Sequence, residues 1–382
     1  MINKTNINPY LNNLSLTGLW SISSFIVNIL PIYFLNDASY ANLIISTTLI
    51  LLISQINTLG FSDSILKYGY SSFSATLIIL VSFSSILLYF FSFGIVFSSM
   101  SIAMMIAIRN HLIKNNLENK IIKFMIIVVF YRIFFSIIIL SISYSLFYYL
   151  LFIFIIPSSL VFLYSCFFIN KEKVEFSIKR DMIYFSISTV LARFLYTYSN
   201  RIGLFILNEN QSFDEIKVYG FLLSFLGVYS FLNQSIRNVL IGKISSSLKD
   251  TKNLYFKLIE NIKKVILLNL VISISLTLLF YFSFSWETLI YLKNYTFILS
   301  FVFLFFMVFG VVPFLGLFNL SLRTINRIDL EIFFNLLRLV LIYIFSFYFE
   351  GLNYLISIII IFFTVELFLA YFCSKYLFKW TK

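Results

Sequence analysis

Charge is what this chain lacks: only 12% of its 382 residues are Asp, Glu, Lys or Arg, against about 25% in a soluble domain. Histidine occurs once, at His111 in a basic stretch expected to be a cytoplasmic loop, with no Cys or acidic cluster around it. That excludes a metal centre or nucleophile constellation. The two cysteines, Cys166 and Cys373, both fall inside apolar runs, which excludes an extracytoplasmic disulfide framework and reads as apolar packing. Long outer loops are missing too, none exceeding about a dozen residues, so no folded extracytoplasmic domain of ordinary size is present. The first apolar run is too long, and lacks the small-residue cleavage site, to be a removed signal peptide.

What the chain has is apolar length. It is 60% hydrophobic with a mean hydropathy of +0.97, and spans of roughly 20 apolar residues are separated by charged or turn-rich gaps. Twelve are expected, at 16–35, 39–59, 71–90, 92–108, 124–143, 147–169, 182–207, 219–241, 265–284, 295–320, 331–350 and 353–374. Two long runs must be divided, near Gly94 and near 143–145. Lysines and arginines are retained on the cytoplasmic side during insertion. With both termini inside, nearly all basic residues face the cytoplasm, only Lys217 and Lys293 face out, and the outer loops carry acids such as Asp37, Glu209 and Glu350. The net charge of +12 is therefore a topology signal with anionic headgroups as its partner, and nucleic acid is excluded.

The segment 169–181 divides the chain into six spans before and six after, giving expected lobes at 1–170 and 182–382 joined by a linker at 171–181. Two such repeats flanking a midplane site are a common transporter plan. The polar stretch 242–264 reads as a basic loop in preference to a surface helix. Pro31, Pro157 and the Gly310 and Pro313 pair mark local breaks within spans, because proline removes a backbone donor and clashes with the preceding turn.

Five arginines stand inside otherwise apolar spans: Arg132, Arg193, Arg201, Arg237 and Arg338. Each costs at least a few kcal/mol at mid-bilayer, which directs it to a protected interior or a hydrated cavity. Arg193, Asn200, Arg201 and Tyr196 form a polar face on the seventh span; it suits an anion such as a diphosphate, or else clamps helices together through backbone carbonyls. Arg132, deep in the fifth span with no acid near it in sequence, is expected to line a cavity, whereas Arg237 lies close enough to the cytoplasmic end to snorkel. Arg338 and Glu366 lie at matching depth on consecutive helices, so an ion pair is the default. Glu366, the one acid well inside a span, is also the candidate proton site if transport is proton-coupled.

The stretch 17–70, with Gly18 early in the first span, Tyr40 and Ala41 opening the second and Leu59, Gly60 and Phe61 closing it, resembles polysaccharide flippases of the multidrug/oligosaccharidyl-lipid/polysaccharide exporter superfamily. The stretch 185–221 is similar to that family's seventh span, acidic outer turn and Tyr-Gly opening of the eighth. The resemblance implies an all-α polytopic protein of twelve transmembrane helices, in two six-helix lobes around a central cavity. It implies a flippase for polyprenyl-diphosphate-linked oligosaccharide units in a bacterial inner membrane, serving O-antigen or capsule assembly beside a polysaccharide polymerase and a chain-length regulator. No cofactor is implied beyond proton or sodium coupling, and no enzymatic activity. Arg193, Arg201 and Arg132 are then the cations that meet the diphosphate. A multidrug cation exporter of the same superfamily would line its cavity with acids, and five arginines to one glutamate speak against it. A multispan polysaccharide polymerase would need clustered outer carboxylates or a large outer loop.

Overall fold

The computed structural model describes residues 8–68, 70–114, 119–142, 144–166, 180–210, 215–224, 295–315 and 327–379, most of 267–278, and a few isolated positions. Among these, every regular element is a helix. In chain order they are α1 (Asn8–Ile29), α2 (Pro31–Phe34), α3 (Asp37–Ile56), α4 (Phe61–Tyr68), α5 (Tyr70–Leu87), α6 (Phe93–Lys114), α7 (Asn119–Ile142), α8 (Leu146–Leu150), a π-helical turn (Leu151–Ile155), α9 (Ile156–Cys166), α10 (Arg180–Glu209), α11 (Tyr295–Leu315), α12 (Ile328–Phe345) and α13 (Gly351–Lys379). Helices satisfy every backbone group internally, the condition that lipid imposes. Among the described residues, five stretches are long and apolar enough to cross a membrane: Asp37–Ile56, Phe93–Leu112, Ile121–Ile142, Leu146–Ser165 and Asn353–Cys373. Exposure is inverted in the manner of a lipid-embedded protein: on α7 the outward Ile127, Phe130 and Phe134 are apolar, while Arg132 and Ser136 are buried.

Both expected divisions of the long runs are present, between Leu87 and Phe93 and between Ile142 and Leu146. Elsewhere the boundaries move for identifiable reasons. The fourth span, expected to end at 108, continues to Lys114, because Ile108 and Leu112 pack into a core with Ile65, Phe73 and Ile121. His111 therefore lies inside a helix, 3% exposed with its ring 4.7 Å from that of Phe73, and not in a loop. The second span stops at Ile56, and the backbone reverses into positive φ at Leu59 (45°) and Gly60 (78°) before α4 begins. A Cβ on Gly60 would lie 2.0 Å from the carbonyl oxygen of Ser186, so only glycine lets α4 start directly against α10.

Pro31 separates α1 from α2, as a residue without an N–H does. Pro157 follows the π turn at the start of α9. By contrast, α11 runs unbroken through Gly310 and Pro313. Gly310 serves there as a point of close approach: a Cβ would fall 1.6 Å from Oδ1 of Asn269, whose Nδ2 donates to the Met307 carbonyl at 2.8 Å.

The chain forms two compact units, Met1–Ser245 and Ser246–Lys382, whereas the sequence suggests a division at 171–181. The difference lies in α10, on the far side of that linker, which packs against α3 and α4. Within the first unit α1 also packs on α7 and α3 on α6; within the second, α11 and α12 both pack on α13. Residues 171–179, the polar stretch 242–264, Arg237, most of the eighth expected span and part of the ninth lie outside the described residues.

Candidate functional site

The deep arginines are where sequence and geometry can be compared residue by residue. Arg132, expected to line a cavity, is instead completely enclosed. Its Nε donates to the carbonyl of Ile153 at 3.0 Å, its Nη1 donates to the hydroxyls of Ser23 and Ser24, and its guanidinium lies 4.1 Å from the Trp20 ring centroid and 5.6 Å from that of Phe154. The acceptor at Ile153 has a local origin. Pro157 brings no N–H for the carbonyl one turn before it, and that carbonyl is the one Arg132 takes. Arg132 thus ties α7 to α1 and to the irregular turn ahead of α9.

Arg338 and Glu366 meet as their matching depths suggest. Nη2 of Arg338 donates to Oε1 of Glu366, Nη1 donates to Oδ1 of Asn335 at 2.9 Å, and the Phe362 ring lies 4.4 Å away. With exposures of 0% and 1%, this is a closed ion pair bridging α12 and α13.

The polar face on α10 does not converge on one point. Arg193, Tyr196 and Asn200 are half-buried, and the backbone carbonyl of Asn200 accepts from Tyr219 at 2.8 Å. Arg201 points a different way, toward α3, and its Nη1 donates to Oγ1 of Thr48 at 2.9 Å. That bond belongs to a series which the sequence reading missed. Gln55 Nε2 donates to Thr197 Oγ1 at 2.8 Å, and Lys217 pairs with Asp37 at 2.8 Å. Positions 37, 48 and 55 are spaced by close to whole helical turns, so α3 presents one polar stripe to α10 and the 215–224 helix. The spacing of Thr48 and Gln55 was the available signal.

Beside this stripe the first unit holds a cavity of about 300 Å³ lined by Leu49, Leu52, Ile53 and Ile56 of α3, Leu87 and Phe91 at the end of α5, and Phe194, Tyr198 and Phe205 of α10. The Phe194 and Tyr198 rings are stacked, with centroids 5.8 Å apart and planes 4° from parallel. Among the described residues no group of three or more His, Cys, Asp or Glu side chains could hold a metal ion.

No protein-family model matches this chain, and no curated protein matches its sequence. Solved structures do match its fold. A multidrug resistance MATE family transporter of the MOP superfamily in an outward-facing conformation aligns over 98% of this chain and 96% of its own, with a TM-score of 0.66 and 13% identity. An inward-facing structure of a transporter so described aligns over 96% and 98%, with a TM-score of 0.59 and 15% identity. A MOP superfamily transporter from Pyrococcus furiosus, described as having a binding pocket of reverse polarity that suggests a different function, aligns over 98% and 96% with a TM-score of 0.55 and 13% identity. The chain shares the multi-pass helical fold of these proteins. More narrowly, it is the fold of the MATE transporters of the MOP superfamily.

Proposed function

We propose that this chain moves amphipathic organic molecules across a membrane by alternating access, in the manner of a multidrug exporter. The observation that carries the reading is the likeness, over nearly the whole chain, to outward-facing and inward-facing structures of transporters described as multidrug-resistance proteins. Rocking of two bundles about a midplane site is how such a fold exposes its passenger first to one side and then to the other. The charge inventory argues against a purely cationic passenger, because Glu366, the acid deep in a span, is already engaged by Arg338. Efflux of a panel of cationic, neutral and anionic fluorescent amphiphiles from cells lacking their own exporters tests this. Efflux of no member above the empty-vector level refutes it.

A second reading, a flippase for polyprenyl-diphosphate-linked oligosaccharide in a bacterial inner membrane, is favoured by one feature. Arg193 and Arg201 project from the middle of α10, and guanidinium groups bind phosphate well. The reverse-polarity neighbour is a precedent within the fold for a pocket of altered charge. On this reading a polymerase and a chain-length regulator act downstream, and a proton or sodium gradient drives transport. Deleting the gene and labelling each leaflet selectively decides it: complete lipid-linked units accumulating on the cytoplasmic leaflet support the flippase, and an unchanged leaflet distribution removes it.

A further inference from the structure

We infer that the cavity between α3, the end of α5 and α10 is a binding site for the hydrocarbon chain of an anionic amphiphile, with Arg201 as the seat of its headgroup. The apolar part follows from the lining. All nine residues around the 300 Å³ space are aliphatic or aromatic, and in a helix bundle at membrane depth the molecules that can fill such a space are lipid chains and apolar passengers. The charge follows from the helical register. At 100° per residue, Phe194, Tyr198, Arg201 and Phe205 fall within about 60° of arc on α10, so Arg201 stands on the same helical stripe as the cavity's three aromatic residues and adjoins the lining without forming part of it. It sits between Tyr198 and Phe205, three and four residues from them.

Arg201 is half-buried, its Nη1 donates to the neutral hydroxyl of Thr48, and among the described residues no carboxylate pairs with it. Thr48 adjoins Leu49 on the opposite wall. A guanidinium held at a fixed place by a neutral acceptor retains donors for a phosphate or carboxylate, and its forked geometry suits either. A cationic amphiphile with the same chain would set its head against Arg201 and be rejected. The site therefore selects sign as well as apolarity. As a passenger site it rests on the transport reading above; as a binding site it stands on the cavity and Arg201 alone.

The test uses the full chain in phosphatidylcholine nanodiscs and dodecyl phosphate carrying a diazirine in its alkyl chain. Photolysis is expected to label residues 49–56 and 194–205 saturably. Unlabelled dodecyl phosphate should compete at least tenfold better than dodecyltrimethylammonium. Leu52→Trp or Leu49→Trp, which fill the cavity, should cut this labelling about tenfold, and Arg201→Gln should abolish the preference for the anion while labelling persists. A Phe130→Trp change on the lipid-facing side of α7 is the control that should alter neither. Labelling scattered over lipid-facing α7, or displaced equally by the cation, overturns the inference whether or not the variants fold. Saturable labelling without efflux of any amphiphile leaves the site and removes the transport reading; efflux without labelling at the cavity does the reverse.

Discussion

Replacing Arg338 by Met while Glu366 stays in place is the most demanding test of how the second unit is held together. The pair is almost fully enclosed, with Arg338 bonded to Glu366 and Asn335 and packed on Phe362. Removing one partner of a buried pair strands the other charge and costs about 3–5 kcal/mol, a factor of at least ~100 in the unfolding equilibrium. Arg338→Met with Glu366→Leu removes both charges together. It forfeits the contact with Phe362 and the bond to Asn335, on the order of 1–2 kcal/mol in all, but strands no ion. The double variant is therefore expected to be more stable than Arg338→Met alone, with a coupling energy of about 2–4 kcal/mol in a double-mutant cycle. Unfolding by titrating a denaturing detergent into mixed micelles gives the four stabilities required. A coupling below about 0.5 kcal/mol would refute the closed pair. Glu366→Gln separates structure from proton coupling: a folded variant with proton-gradient-driven transport intact removes Glu366 from any coupling role.

Three further outcomes are expected. Arg132→Lys loses the Nε bond to Ile153 and the planar stacking on Trp20, and should destabilise the first unit by about 1–3 kcal/mol in the same unfolding assay, because lysine cannot replace a forked donor at a stacked site. Gly60→Ala should cost at least ~2 kcal/mol, since a Cβ there meets the Ser186 backbone and the residue has a φ of 78°; a thermal midpoint matching wild type would contradict the approach of α4 to α10. Gly310→Ala should cost about 1 kcal/mol, because the Asn269 carboxamide must swing aside and give up its bond to the Met307 carbonyl, and in an Asn269→Ala background the same change should cost almost nothing.

Runs of apolar residues and the gaps between them located most described helices, though several ends, such as the start of α1 at Asn8 and the end of α13 at Lys379, fall five or more residues from the expected limits, since lipid allows little besides helices and a span needs only a minimum length. They could not show where an apolar helix gives way to a buried polar end, which is why α6 outruns its expected limit at 108 and takes His111 inside. Nor could they reveal that Leu59, Gly60 and Phe61, noticed as a family feature, form a reversal of the chain against α10. The pairing of Arg338 with Glu366 was legible because depth is a one-dimensional quantity counted at 1.5 Å per residue. The fate of Arg132 was not. Its acceptors are hydroxyls and a backbone carbonyl on other helices, and such neutral partners leave no mark of opposite charge in the sequence. The bond from Arg201 to Thr48 was hidden for a related reason, its partner lying 153 residues away.

The bonds from α3 to α10 and to Lys217 bear on how this polypeptide could be divided. A chain cut within 171–179 would part α10 from the helices it is stitched to, so the two pieces could rejoin only by re-forming that seam inside the bilayer. A cut at Ser245 would leave the seam whole in one piece. Fragment complementation, inserted reporter domains and tandem fusions should accordingly respect the later boundary. The hydrogen-bonded stripe, more than the symmetry of six spans and six, sets where this transporter-like chain can be taken apart.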